Sequence, residues 1–260
     1  MSFRTAVALI AIASATSANA VGKFTVSLES EVAGAQNSTS GFKAVGVETF
    51  NSRSVGTGQN FVTDFGGSAF TGSYTGAQIL NADEYGGAGG TGKYAVTFSN
   101  TGYSVDLSTT RPGGVTYFGF WLSALDRGNN VTFYSKGAEL FTFSASDARN
   151  FINGLPGASN YYCNPNSNFA NQNCGEPYAF LNFYARGGTK FDRIVFAESP
   201  QVGGYESDNH TVGQWDRISG TVIPIAGTIS GVPEPASWAM LIAGFGLVGT
   251  NLRRRRTVAA

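Results

Sequence analysis

The chain has 260 residues, with 17 Lys plus Arg against 17 Asp plus Glu, one His, two Cys, 35 Gly and 20 Phe. The neutral total hides an asymmetry, because Arg4 and Arg253 to Arg256 sit at the two ends; between Val21 and Gly231, 12 basic residues face 16 acidic ones, a net charge of −4. A mildly acidic body excludes nucleic acid as a partner on electrostatic grounds. One His and two Cys supply too few nitrogen and sulfur donors for a zinc centre.

Residues 1–20 read as a signal peptide. Arg4 precedes the apolar run Ala6–Ala13, and Ala18, Asn19 and Ala20 form the small-x-small pattern that signal peptidase cuts, so the mature chain is predicted to begin at Val21. The folded body is then 21–231, a β-rich domain. Abundant Gly, Ser, Thr and Asn with sparse Lys and Glu favour turns and strands over helices.

Phe24, Val26 and Leu28 recur at period two, as do Val45, Val47 and Thr49, and each set predicts a half-buried strand on either side of a loop at 34–41. The Gly- and Ser-rich pieces that follow support only short strands around Phe61 and Tyr74. Gly86–Gly92 (GGAGGTG) lacks the Lys and Ser/Thr of a Walker motif and reads as a flexible loop, followed by a strand with Tyr94, Val96 and Phe98 on one face. Val115–Leu125 (VTYFGFWLSAL) is apolar almost throughout and predicts a central strand covered on both faces. After the turn at Asp126–Asn130, Val131–Ser135 is expected to return as its partner, with Leu140–Phe143 the third strand of a meander.

Ser144–Ile152 is the one predicted helix of the body, with Ser144 or Ser146 as its cap and Asp147 in the first turn. Asn160–Pro177 reads as an Asn-rich loop holding Cys163 and Cys174, which an oxidising compartment should pair. Strands resume at Tyr178–Tyr184 and, past Gly187 and Gly188, at Phe191–Ala197. Many short strands joined by Gly-rich turns argue for an antiparallel β-sandwich, of jelly-roll or lectin-like type.

The last stretch, 232–260, has three parts in fixed order. Pro233, Glu234 and Pro235 precede an apolar, Gly-containing run with Trp238 at its start, and Arg253, Arg254, Arg255 and Arg256 close it. A helix over 236–252 is roughly 25 Å long, slightly under the ~30 Å hydrocarbon core, and the arginines hold its C-terminal end in the cytoplasm. This stretch resembles a PEP-CTERM sorting signal. The resemblance implies that an exosortase-type membrane protease of a Gram-negative bacterium recognises the Pro-Glu-Pro region and removes the anchor, so the protein is transiently held in the inner membrane and ends at the cell surface or outside the cell.

A second resemblance rests on GFWLSALDRGNNVTFYSKG from Gly119, CGEPYAFLNFYARGGTKFDRIVF from Cys174 and GGYESDNHTV from Gly203. These blocks are similar to exosortase-dependent surface proteins with a lectin-like β-sandwich ectodomain, a group that brings no catalytic residues with it.

Candidate chemistry is sparse. Any Ser-His-Asp triad must use His210, which has Asp208 close in sequence but no Gly-x-Ser-x-Gly elbow anywhere, and a hydrogen-bonded structural histidine is the plainer reading. The carboxyl pairs Asp83/Glu84 and Glu206/Asp208 read as solvated loop charge, as a glycosidase pair, or, with Asn209, as oxygen donors for calcium. Tyr205, Glu206, Asp208 and Asn209 together offer an aromatic face and polar groups for a glycan, with the loop Tyr161–Asn173 as an opposite wall. The expectation is a non-enzymatic surface or matrix protein, associated with biofilm or exopolysaccharide, without a cofactor unless calcium binds. A secreted carbohydrate-active hydrolase is the alternative.

Overall fold

The computed structural model describes residues 23–29, 35–123 and 125–224. The expected signal cleavage at Ala18, Ala20 and Val21, and the tail with Pro233, Glu234, Pro235, Trp238, the helix 236–252 and the arginine cluster, lie outside the described residues.

In chain order the strands are β1 (Phe24–Leu28), β2 (Gly41–Glu48), β3 (Gly56–Thr63), β4 (Phe70–Asn81), β5 (Lys93–Thr97), β6 (Tyr103–Thr109) and β7 (Tyr117–Ser123). Then come β8 (Asn129–Ser135), β9 (Ala138–Ser144), β10 (Ala179–Ala185), β11 (Arg193–Glu198), β12 (Tyr205–Arg217) and β13 (Thr221–Val222). All pair antiparallel in one sheet of order β13-β1-β10-β7-β12-β5-β4-β6-β11-β8-β9, with β2 added to β12 and β3 to β4. β5 pairs with both β12 and β4 and carries the sheet round a corner. The expected sandwich is thus made by one curled sheet whose two walls face each other.

Phenylalanine fills the space between the walls. Phe120 of β7 meets Phe196 of β11 at 5.1 Å between ring centres, Phe183 of β10 meets Phe133 of β8 at 5.1 Å, and Phe24 of β1 stacks on Phe141 of β9 at 5.0 Å. Edge-to-face and offset contacts of this kind add to the stabilisation from burial itself. β7 is buried at every position, as expected for Val115–Leu125, and so is β10, which falls in the strand expected at Tyr178–Tyr184. Their outer faces, with Trp121, Tyr178 and Phe180, form a second small cluster packed against Ala88.

That outer cluster is covered by two loops. GGAGGTG is the loop between β4 and β5, as expected, and it holds a 3-10 turn at Ala88–Gly90 gripped by the Asn-rich segment: Asn166 Nδ2 donates to Gly87 O and Asn168 Nδ2 to Gly90 O. Gly86 lies so close to Tyr94 that a Cβ there would sit 2.3 Å from the ring, so the close approach requires glycine. Beside them Asn164 Nδ2 and Tyr178 Oη both donate to Glu84 O. Cys163 and Cys174 are disulfide-bonded as expected.

The helix α1 (Ala145–Asn153) starts where the sequence predicted, with Ser144 as its cap accepting from Ser146 N, and Asp147 in the first turn. Four other expectations change. Val131–Ser135 is not the partner of the central strand: β8 pairs with β9 and β11 in the opposite wall, because the turn after β7 crosses between walls. β3 and β4 are long rather than short, since register shifts and left-handed glycines at Gly58 and Gly76 let a Gly-rich ladder bend without breaking. In β2 the valines face outward and Gly46 and Glu48 are the buried positions, Glu48 being held by Arg53 and by Phe50 N. In β5 it is Ala95 that enters the main core, while Tyr94 and Val96 occupy the covered outer face and Phe98, beyond the strand end, is exposed.

The disulfide closes an 11-residue separation around the three asparagines that hold the glycine-rich turn. On the chain-entropy account a ring of this size stabilises by ~3 kcal/mol. The Cys163→Ala, Cys174→Ala double variant is therefore expected to unfold at lower guanidinium concentration by about that free energy, and addition of reductant should shift the parent but leave the variant unmoved.

Candidate functional site

The residues singled out at Tyr205–Asn209 do not lie on a solvated loop. They form the first half of β12, between β7 on one edge and β5 and β2 on the other, and all are buried. Tyr205 turns into the core, where its ring meets Phe196 at 5.5 Å, so its face is not open to stack on a sugar. Ser207 also points inward and bonds Tyr103 Oη at 2.6 Å. Asp208 points to the outer face, where Oδ2 accepts from Ala88 N at 2.8 Å and Oδ1 from Asn209 N at 2.6 Å. Asn209 Nδ2 donates to Gln36 O at 2.9 Å.

Asn209 adopts φ 48° at a register shift between Asp208 and Thr211. This bulge decides where His210 goes. In a regular strand, residues two apart share a face; the extra residue instead sends Asp208 outward and His210 inward. His210 is buried between Phe50, Phe118 and Phe196, with ring centres at 4.9, 5.3 and 5.0 Å, and its Nδ1 is 2.8 Å from Tyr74 Oη. Burial without a charged partner pushes its pKa down to about 3. The histidine is thus a neutral core residue, hydrogen-bonded as the plainer reading expected, and the pair Asp208/His210 is split across the sheet.

The two segments proposed as walls of a glycan site do come together, but as structure. Asn209 reaches Gln36 O, Gln36 Nε2 donates to Asn166 Oδ1, and Asn166 grips Gly87 O, so the two segments are joined through Gln36 and the backbone between them. Among the described residues, no three His, Cys, Asp or Glu side chains are grouped to hold a metal ion.

What the sequence did not single out is a group of carboxyls where β7 and β11 end and β12 begins. Asp126 lies beside Glu176, Glu198 and the Gly204 N–H. Burial first, then Glu176 and Glu198, push its pKa up to about 7 against the Gly204 N–H, which favours the charged form. Burial does the same for Glu198, also to about 7, and for Asp208, to about 7 against the two N–H donors that favour its charged form. Burial holds the Glu206 pKa well above the usual carboxylate range, with Asp126, Glu176 and Asp83 adding to the effect. Among the described residues Oε2 of Glu206 has no hydrogen-bond partner, and only the nearby Val202 N–H favours the charged form of Glu198. Arg149 spends its guanidinium on Leu125 O and Gly175 O.

These shifts have opposite signs in their effect on stability. The raised carboxyls bind protons more tightly folded than unfolded, so their contribution is lost as pH rises from ~4 through about 7. His210 does the reverse, and its contribution is lost as pH falls from ~6.5 toward about 3. Above pH ~6.5 only the carboxyls act. The melting temperature is therefore expected to fall between pH 6.5 and 8.5, and Asp126→Asn should melt a few degrees above the parent at pH 8, with the gap closing at pH 5, as read by thermal denaturation across a buffer series.

No curated protein and no solved structure matches the chain. Residues 231–256, however, match the family described as the PEP-CTERM protein-sorting motif, on the same stretch where Pro233, Glu234 and Pro235, the apolar run and the arginines stand in order. The chain carries a PEP-CTERM sorting motif and is thereby marked for processing by exosortase, a membrane protease, on its way toward the cell surface.

Proposed function

We propose that the chain is exported by its signal peptide, held in the inner membrane by the helix 236–252, released by exosortase, and left at the cell surface or in the extracellular matrix of a Gram-negative bacterium as a non-enzymatic component that contacts exopolysaccharide. The observation that carries this reading is the sorting motif behind a body whose single histidine is locked in the core. His210 has Tyr74 and aromatic rings for neighbours and lies on the opposite face from Asp208, so the one imidazole available for acid–base work serves packing instead. The lectin-like character suggested by the sequence blocks fits a sandwich that leaves its loops and rims free for contact.

Hydrolysis of a glycan is the second reading, and the raised carboxyls of Asp126 and Glu198 favour it, since a general acid needs a pKa near the working pH. Release of reducing ends from a glycan panel that disappears in Asp126→Asn would establish it over the first.

The processing itself is checked by intact mass spectrometry of protein recovered from the surface of the producing cell. The expected mass begins at Val21 and lacks Arg253–Arg256, and Glu234→Ala should leave the chain uncut and in the membrane fraction.

A further inference from the structure

The end of the sandwich opposite the carboxyl group has the opposite chemistry. There the β6–β7 connection, the β10–β11 connection and the far half of β12 border an open cleft of about 450 Å3, lined by Lys43, Pro112, Thr116, Gly188, Lys190 and Trp215 among others. The strand directions put the two groups at opposite ends: β7 and β11 run from this rim toward the carboxyls, and β12 runs back. Lys43 of β2 and, on these segments, Arg111, Arg186, Lys190 and Arg217 stand against Asp192 and Asp216, in a body whose net charge is −4.

The cleft is built, and its lysines are available. Gln214 forms a brace, with Nε2 donating to Pro112 O and Gly114 O at 2.9 Å each and Oε1 accepting from Arg111 Nε at 3.1 Å. Trp215 is anchored by Nε1 to Ala185 O at 2.9 Å, by the Arg186 guanidinium 5.3 Å from its ring, and edge-on by Tyr184. Lys43 meets Asp216 only at 3.8 Å with both side chains about two-thirds exposed (65% and 64%), a pairing worth little in water. Lys190 makes no ion pair among the described residues, and Asp192 is occupied with Lys136 N.

We infer that this cleft binds an acidic polysaccharide, with a sugar ring against the indole of Trp215 and its carboxylates paired to Lys43 and Lys190. The inference rests on the reading of the chain as a surface protein that contacts exopolysaccharide, and it moves the contact from the buried start of β12 to the basic rim. An aromatic face takes the apolar side of a pyranose, and an ammonium–carboxylate hydrogen bond is stronger than a neutral one. An anionic bilayer offers the same negative charge, but a flat surface does not enter a cleft or use the ring, which favours the polysaccharide. Preorganisation by the Gln214 brace and the anchored indole lowers the cost of ordering the site on binding.

The test uses the full chain in phosphatidylcholine nanodiscs, titrated with polygalacturonate, with dextran and with phosphatidylglycerol vesicles, each at two salt concentrations. The parent should bind polygalacturonate and ignore dextran. Lys43→Ala with Lys190→Ala, both at exposed positions, should weaken binding about tenfold or more and flatten its salt dependence by roughly two ion contacts. Trp215→Leu should weaken it at both salt concentrations while leaving that dependence as in the parent. Arg127→Ala, exposed at the carboxyl end, should bind as the parent does. Unchanged binding by the double lysine variant, equal binding of dextran, or no binding of polygalacturonate overturns the proposal, and tighter binding to the vesicles than to polygalacturonate replaces it with a membrane-facing rim. Release to the surface is read separately from the mass of the processed chain, so a failed titration leaves that conclusion in place.

Discussion

A strand buried on both faces that reads Glu-Ser-Asp-Asn-His-Thr must find a partner inside the protein for nearly every polar group it carries, because a buried group left unpaired costs about 1–3 kcal/mol. The partners come from distant parts of the chain. Ser207 takes the phenol of Tyr103 on β6, Asp208 takes the N–H of Ala88 in the glycine-rich turn, Asn209 takes Gln36 before β2, and His210 takes the phenol of Tyr74 on β4. One strand thus fixes the place of four other segments. The Asn-rich loop is drawn in at one remove, through Gln36 and the glycine-rich carbonyls.

The bulge at Asn209 makes this arrangement consistent. Asn tolerates the left-handed region better than most residues, and the added residue re-aims the side chains on either side of it. Polar groups that need loop partners face the loops, and the imidazole that needs an apolar seat faces the phenylalanines. The same residues that look like chemistry in one dimension are therefore sorted to opposite sides of a wall. Charge is sorted along the other axis, with carboxyls massed at one end of the sandwich and ammonium and guanidinium groups at the other.

Much of the fold was legible. The unbroken apolar run that became β7, the Ser144 cap of α1 and the lone cysteine pair each follow from a local rule, and the structure follows those rules. β12 was not legible by polarity, because its polar residues are satisfied by tertiary partners that no local pattern encodes, and the bulge destroys the period-two alternation that marks a strand. Its length was the available sign: from Tyr205 to Arg217 the chain has no Pro and a single Gly, in a protein punctuated by glycine nearly everywhere else. β3 and β4 were underestimated for the opposite reason, since glycine inside a strand looks like a turn until its neighbours are seen to pack around it. The carboxyl group escaped notice because Asp126, Glu176, Glu198 and Glu206 come from separate stretches that only the strand order brings to one end.

The pairing of the first strands with the last has a consequence for the timing of secretion. Among the described residues β1 pairs with β10 and β13, and β2 with β12, so a chain that crosses a membrane N-terminus first cannot complete either ladder until residues beyond 200 have emerged. Ordering the early strands against partners so far along the chain makes the last stage of folding non-local and slow. β13 ends at Val222 and the sorting motif begins at residue 231, which leaves about eight residues between the strand that completes the body and the segment that meets the protease. The strands that complete the body and the motif that meets the protease are thus next to one another in the chain, with only a short spacer to separate folding from cutting.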